Sequence, residues 1–205
     1  MWLLYGLMIA FVLLTRERTL LDANSFFRHR YEGFGWLVAA HGVPLAFALV
    51  LGVFQFSNRL RRDYLQLHRW MGRVYVGAVF VGAPMGPMIA HRAPMPTGQM
   101  LAIMHAFAWM STTAIGLYCV RNGNIQQHRE WMMRSYPFAM VFIVSRVFNA
   151  IPQIEQAGPT AIMSTVWMTL FMAALLPSMV IEWQAIRSKK KLQVRTAIAA
   201  SATAD

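Results

Sequence analysis

Apolar runs of helix length divide this chain, and charged or turn-forming residues separate them. About 20 apolar residues span the hydrocarbon core of a bilayer as an α-helix, and in lipid the backbone polar groups must be satisfied within that helix. The sequence therefore predicts an all-α membrane protein with six transmembrane helices. The runs cover residues 1–14, 35–56, 70–90, 99–120, 131–151 and 160–183.

The composition agrees with a membrane protein rather than a soluble domain. The 205 residues are 57% hydrophobic and only 13% charged, and the mean hydropathy is +0.42. A net charge of +11 would suggest a nucleic-acid partner in a soluble protein. Here the basic residues stand beside the apolar runs, where they set topology, so we expect no nucleic acid. The single cysteine, Cys119, excludes both an internal disulfide and covalent haem attachment through Cys-x-x-Cys-His.

The basic residues also indicate an orientation. With six spans, three basic segments fall on one face of the membrane, which the positive-inside rule assigns to the cytoplasm. We therefore expect a protein of the bacterial inner membrane, with its C-terminus inside. The residues concerned are Arg59, Arg61, Arg62, Arg69, Arg121, Arg129, Lys189, Lys190 and Lys191.

Four parts of the chain are expected to differ in role. Residues 1–34 form a short first helix and a surface connection, and residues 35–151 form a four-helix core. Residues 152–186 form the sixth helix, and residues 187–205 form a basic tail that we expect to be frayed. The helix-breaking residues expected to kink the third and sixth helices are Pro84, Pro87 and Pro177.

Two stretches within the core repeat one order of residues. Residues 41–75 and 105–136 each start with a histidine in an apolar run and continue through a basic connection. Each ends with His-Arg, a further Arg and a Tyr at the start of the next run. Such self-similarity predicts an internal duplication of a two-helix unit.

The repeat places four histidines at two levels. His41 and His105 each lie about six residues into helices that run in parallel, roughly 9 Å below the outer face. His68 and His128 directly precede two other parallel helices, so they share a second level at the cytoplasmic face. At 1.5 Å per residue the two levels are roughly 24 Å apart.

Pairs of imidazoles on facing helices are typical of b-type haem, whose iron takes one ring on each side of the porphyrin. Pairing across a cofactor also lowers the cost of ionisable residues within a bilayer. We interpret His41 with His105, and His68 with His128, as the iron ligands of two haems. Gly72, one turn after His68, leaves room for a porphyrin.

Basic and hydroxyl side chains at matching depths are candidate partners for the haem propionates. Arg146 is the candidate at the outer level, roughly 8 Å deep in the fifth helix. The candidates at the cytoplasmic level are Arg69, Arg73, Arg129, Arg134, Tyr75 and Tyr136.

Other interpretations of these residues stay open. Histidines are common at helix starts near an interface, and the neighbouring arginines also serve as topology signals. Binding of a single haem is one alternative, and a chain without haem would be a small transporter or an accessory subunit of a larger membrane complex. A purely histidine-based metal site is less favoured, because two imidazoles alone make a poor zinc or copper site.

Two resemblances bear on these alternatives. The sequence resembles a family of predicted bacterial membrane proteins of unknown function in the order His41, His68-Arg69-x-x-Gly72-Arg73-x-Tyr75, His105, and His128-Arg129-x-Trp131-Met132-x-Arg134-Ser135-Tyr136. The arrangement of the four histidines is also similar to that of transmembrane cytochromes of the cytochrome b-561 and ferric-reductase type. That similarity implies two haems, and electron transfer from a quinol or small reductant to an acceptor across the membrane. The expected partners are lipid, such a reductant, and a larger membrane complex or a second copy of the chain.

Overall fold

The computed structural model describes residues 33–149 and 151–202. Every regular element in these two ranges is an α-helix, which confirms the predicted all-α fold. The predicted first helix, at residues 1–14, lies outside the described residues. The elements are α1 (Gly35–Gln55), α2 (Asn58–Asp63), α3 (Leu65–Gly82), α4 (Met85–Arg92), α5 (Gly98–Arg121), α6 (Ile125–Asn149), α7 (Pro152–Gln156) and α8 (Pro159–Ala202).

Helices α3 and α6 begin earlier than their apolar runs predicted. His68 and His128 therefore lie inside the first turns of these helices, not before them. In α6 the reason is a side-chain cap, because Asn124 Oδ1 accepts the backbone N–H of Gln127 at 3.3 Å. The first turn of each helix is polar on one side, so hydropathy alone placed both starts too late.

The prolines act differently in the two long segments. The predicted third helix is divided, because α3 ends at Gly82 and Pro84 caps α4. Proline lacks the N–H that would continue the helical ladder. By contrast, α8 continues through Pro177 to Ala202. We expected the tail from residue 187 to be frayed. This was wrong for residues 187–202, which continue the helix.

Four helices form the core around two hairpins. Helix α1 packs along α3, and α5 packs along α6. The hairpins meet where α3 faces α5 and where α1 faces α6, so these helices contact one another in a ring. Among the described residues, α1 and α5 are diagonal to each other, as are α3 and α6. Helix α8 packs on α6, outside the ring.

The two ends of the core are named here by their short helices. The α2 end carries α2 and the turn 122–124, and the α4 end carries α4 and the connection 93–97. The interior between the ends is filled mainly by apolar and aromatic side chains. Those at 2% exposure or less include Ala48, Tyr75, Val79, Leu101, Trp109 and Val141.

Four segments among the described residues are long and apolar enough to cross a membrane. They are Gly35–Gln55, Leu65–Arg92, Gly98–Arg121 and Pro159–Lys189. Helix α6 has 25 residues, but it carries four charged side chains and is not among them. The large apolar side chains on the outer surface, such as Phe107 at 73% exposure, suit contact with lipid. The count of six spans stays a prediction.

Close packing at Gly52 provides a test of the hairpin interface. A Cβ atom on Gly52 would lie 2.5 Å from Tyr136 Cδ2 and 3.2 Å from Tyr75 Cε2. The Tyr136 ring cannot retreat easily, because its hydroxyl donates to Leu49 O at 3.0 Å. We expect Gly52→Ala to lower the free energy of unfolding by about 1–3 kcal/mol. Thermal unfolding of the purified protein in one detergent measures this loss.

Gly77 supplies the matched control for that substitution. It lies in α3, and a Cβ atom there would meet no heavy atom within 4 Å. Gly77→Ala should therefore be neutral or should stabilise the helix by roughly 0.5–1 kcal/mol. Equal unfolding temperatures for the two alanine variants would contradict the packing described at the hairpin interface.

Candidate functional site

At the α4 end, His41 is held against the C-terminus of α3. Its Nδ1–H donates to the carbonyl oxygen of Gly82 at 2.8 Å. The glycine allows this approach, since a Cβ atom on Gly82 would lie 2.6 Å from Leu45 Cγ and 3.2 Å from His41 O. The helix break also leaves the Gly82 oxygen available. In a continuous helix the Gly86 N–H would donate to it, but here that N–H donates to Ala83 O at 3.1 Å. The backbone of α3 thus fixes the orientation of the His41 ring.

His105 occupies the same level on the diagonal helix α5. It is only 6% exposed, and its Nε2–H donates to Phe138 O on α6 at 2.9 Å. Three aromatic rings surround it, with ring centroids 5.3–6.0 Å from that of the imidazole; they belong to Trp109, Phe138 and Phe142. His41 lies within the range of electrostatic interaction with His105. The structure thus places these two predicted partners at the same end of the core, on diagonal helices.

The second pair lies at the α2 end. His128 Nδ1–H donates to Gly116 O on α5 at 2.8 Å. His68 on α3 interacts electrostatically with His128. Its Nδ1 atom is buried and has no hydrogen-bond partner among the described residues. The two histidines therefore lie at the same end of the core, on the helices of the second diagonal.

The ring nitrogens differ in how well they suit an iron ligand. Ligand histidines usually donate the second ring N–H to a carbonyl or carboxylate, which fixes the tautomer. His41 and His128 have this arrangement, with Nδ1 on a carbonyl and Nε2 as the nitrogen that would ligate. His105 is held through Nε2, so Nδ1 would ligate unless the ring turns. His41 and His128 thus present a ring nitrogen that suits an iron ligand as they stand, whereas His105 does so through Nε2 only after its ring turns.

Between the two levels lies a buried polar network that sequence reasoning missed. Tyr75 OH and Ser135 Oγ are 2.8 Å apart, and Trp109 Nε1–H donates to Tyr75 OH at 3.1 Å. Thr113 Oγ1 is 2.7 Å from Ser135 Oγ. The network joins α3, α5 and α6. The sequence does show hydroxyl residues inside apolar runs. Helical spacing alone, however, does not tell which side chain each hydroxyl contacts.

Some of the predicted propionate partners make contacts inside the protein, and the others are exposed. Tyr75 lies in the interior network, and Tyr136 OH donates to Leu49 O. Arg134 Nε–H donates to Ser178 Oγ at 3.2 Å and so connects α6 to α8. The Arg134 guanidinium also lies 5.0 Å from the ring centroid of Trp131 on α6. The exposed arginines among the candidates are Arg69, Arg73, Arg129 and Arg146.

Gly72 lies one turn after His68, beside a side chain of α1. A Cβ atom on Gly72 would be 3.5 Å from Gln55 Oε1. In the second repeat Met132 takes the corresponding place, and its sulfur would lie 2.9 Å from a Cβ on Gly116. The place beside the histidine is therefore taken by Gln55 of α1 in the first repeat and by Met132 in the second.

A metal ion bound directly by protein side chains is a different kind of site. In residues 33–149 and 151–202, no group of three or more His, Cys, Asp and Glu side chains is arranged to hold one. Two-histidine coordination with a porphyrin supplying the other ligands does not need such a group.

The comparisons with known proteins identify one family. The family described as "Predicted membrane protein (DUF2306)" matches residues 38–186 of the chain. The match spans all four paired histidines. No curated protein and no solved structure matches the chain.

Proposed function

We propose that this chain, which belongs to that family of predicted membrane proteins, is a membrane-embedded b-type cytochrome with two haems. His41 and His105 would hold one haem, and His68 and His128 the other. Its function is the transfer of electrons between the two faces of the membrane. One observation carries the proposal: the two histidines of each pair lie on diagonal helices, at the same end of one four-helix core, and interact electrostatically.

The chain's own groups have definite roles in this function. When bound, each haem supplies one-electron oxidation and reduction at its iron. The carbonyl oxygens of Gly82 and Gly116 orient the His41 and His128 rings. The aromatic rings around His105 exclude water from the α4-end pair. A dry site of this kind favours neutral imidazoles, the form that binds iron.

A groove at the α2 end supports an amphiphilic reductant such as a quinol. Its volume is about 450 Å³, and it lies among α1, α2 and α3, beside the first turn of α3 that carries His68. Apolar and aromatic side chains dominate its lining and suit a ring with an apolar tail. They include Leu51, Phe54, Leu60, Leu67 and Met71.

The orientation is part of the same proposal. The α2 end carries Arg59, Arg61 and Arg62 on one short helix, and Arg121 ends α5 on the same side. By the positive-inside rule this end faces the cytoplasm of a bacterial inner membrane. Electrons from the reductant would then pass from the His68 and His128 level to the His41 and His105 level.

The absorbance of the purified protein tests the proposal directly. The chain, expressed with a haem supply and purified in detergent, should show a b-type α band that dithionite sharpens. Extraction as the pyridine adduct should give two haems per chain. Protein that is folded and colourless after this preparation would exclude the cytochrome and favour a transporter or an accessory subunit.

A further inference from the structure

Positive side chains converge at the α2 end of the core. Arg61 on α2 and Arg129 on α6 come from different hairpins, yet they interact electrostatically. Burial first, and then the charge of Arg129, lower the pKa of the Arg61 guanidinium from its ordinary value. Arg61 and Arg69 both interact electrostatically with His68. Like charges repel each other, and a negative group between them would remove that repulsion.

Nearby carboxylates do not supply that negative group. Asp63 pairs with Arg62 at 2.7 Å and with Arg59 at 3.9 Å. Glu130 pairs with Arg134 at 3.9 Å, on the side of α6 that faces α8. The salt bridges found within residues 33–149 and 151–202 do not include Arg61, Arg69 or Arg129. Arg61 instead donates to the side-chain oxygen of Asn58.

Two unsatisfied polar atoms lie at the same end. Gln55 Nε2 and His68 Nδ1 are buried and lack a hydrogen-bond partner among the described residues. Gln55 reaches across to Gly72, one turn after His68, so the two side chains are near each other. A buried polar atom without a hydrogen-bond partner is unfavourable. An acceptor with several lone pairs would relieve both groups and the paired arginines.

We propose that Gln55, Arg61, His68 and Arg129 form a binding site for an oxyanion. The ligand is a carboxylate or a phosphate group, which the planar guanidinium donors of arginine suit best. Because Arg61 and Arg129 belong to different hairpins, the bound anion would also tie the hairpins together. Two sources have this chemistry: a propionate of the haem held by His68 and His128, or a free anion from solution. The site does not require the haem, so it goes beyond the proposed function.

Thermal unfolding of the full chain in detergent tests for a free anion, with inorganic phosphate as the probe and chloride at equal ionic strength as the reference. We expect phosphate to raise the unfolding temperature of the wild type in a saturable manner. Arg61→Gln and Arg129→Gln should abolish the rise. Arg62→Gln is the matched control, because Arg62 is on the same short helix and is already paired with Asp63. Gln55→Leu replaces Arg61→Gln if that variant does not fold.

Redox titration tests whether the anion is instead a haem propionate. If a propionate already occupies the site, phosphate should have no effect on haem-loaded protein. Arg61→Gln should then lower the midpoint potential of one haem, since loss of a positive charge favours the oxidised form, and Arg62→Gln should not. Protein that responds to phosphate but takes up no haem when haem is supplied would retain the site and reject the cytochrome. The site is overturned if Arg61→Gln and Arg129→Gln match Arg62→Gln in both measurements, or if phosphate has no effect on haem-free wild type.

Discussion

His41→Ala and His68→Ala are each expected to remove one of two haems. Each substitution deletes a proposed iron ligand from one pair and leaves the other pair, at the opposite end of the core, in place. The α-band absorbance per chain should therefore fall by about half in either variant, and to nearly nothing in the double variant. Extraction of haem as the pyridine adduct, against protein concentration, gives the ratio.

His91→Ala is the matched control for the ligand variants. His91 lies on α4 and is exposed, outside both pairs. It should keep both haems and the wild-type spectrum. If all three single variants retain the same haem content, the assignment of ligands is wrong. If His91→Ala loses as much haem as His41→Ala, the losses reflect general damage at the α4 end.

Trp109→Ala is expected to cause the largest loss of stability among single substitutions in the core. Trp109 is 2% exposed, packs against the His105 ring at 5.5 Å, and donates to Tyr75 OH. Its removal leaves a cavity and takes a donor from the interior network. We expect the free energy of unfolding to fall by about 3–5 kcal/mol. Denaturation of the purified protein in mixed detergent measures the change.

Trp36→Ala provides the comparison for that loss. Trp36 is 63% exposed at the start of α1, so its replacement creates no internal cavity. Its effect on the free energy of unfolding should stay within roughly 0.5 kcal/mol. A Trp109→Ala variant as stable as Trp36→Ala would show that the interior packs differently from the structure described.

The sequence predicted helix boundaries best where an apolar run and the helix begin and end at the same residues. Helices α1 and α5 begin and end within one residue of the predicted runs at 35–56 and 99–120. Helices α3 and α6 were harder, because their first turns carry polar residues that belong to the helix by capping rather than by hydropathy. The length of α8 was also missed, since its last turns are basic and small rather than apolar.

Side-chain partners across the core could not be read in the same way. The repeat predicted which histidines share a level, because position along a helix follows from residue number. It did not predict that Arg134 would reach Ser178 on α8, or that Tyr75 would bond with Ser135. Those contacts depend on helix rotation and on neighbours distant in sequence. The convergence of Arg61 with Arg129 has the same origin.

The ring formed by α1, α3, α5 and α6 has an approximate twofold symmetry, because exchanging the two hairpins preserves every contact between neighbouring helices. Two identical copies of one hairpin would therefore pair each histidine with its own symmetry mate and complete both levels. A homodimeric ancestor of half this length is thus sufficient to build the core. Joined in one chain, two such copies can carry different residues at equivalent positions, as Gly72 and Met132 illustrate.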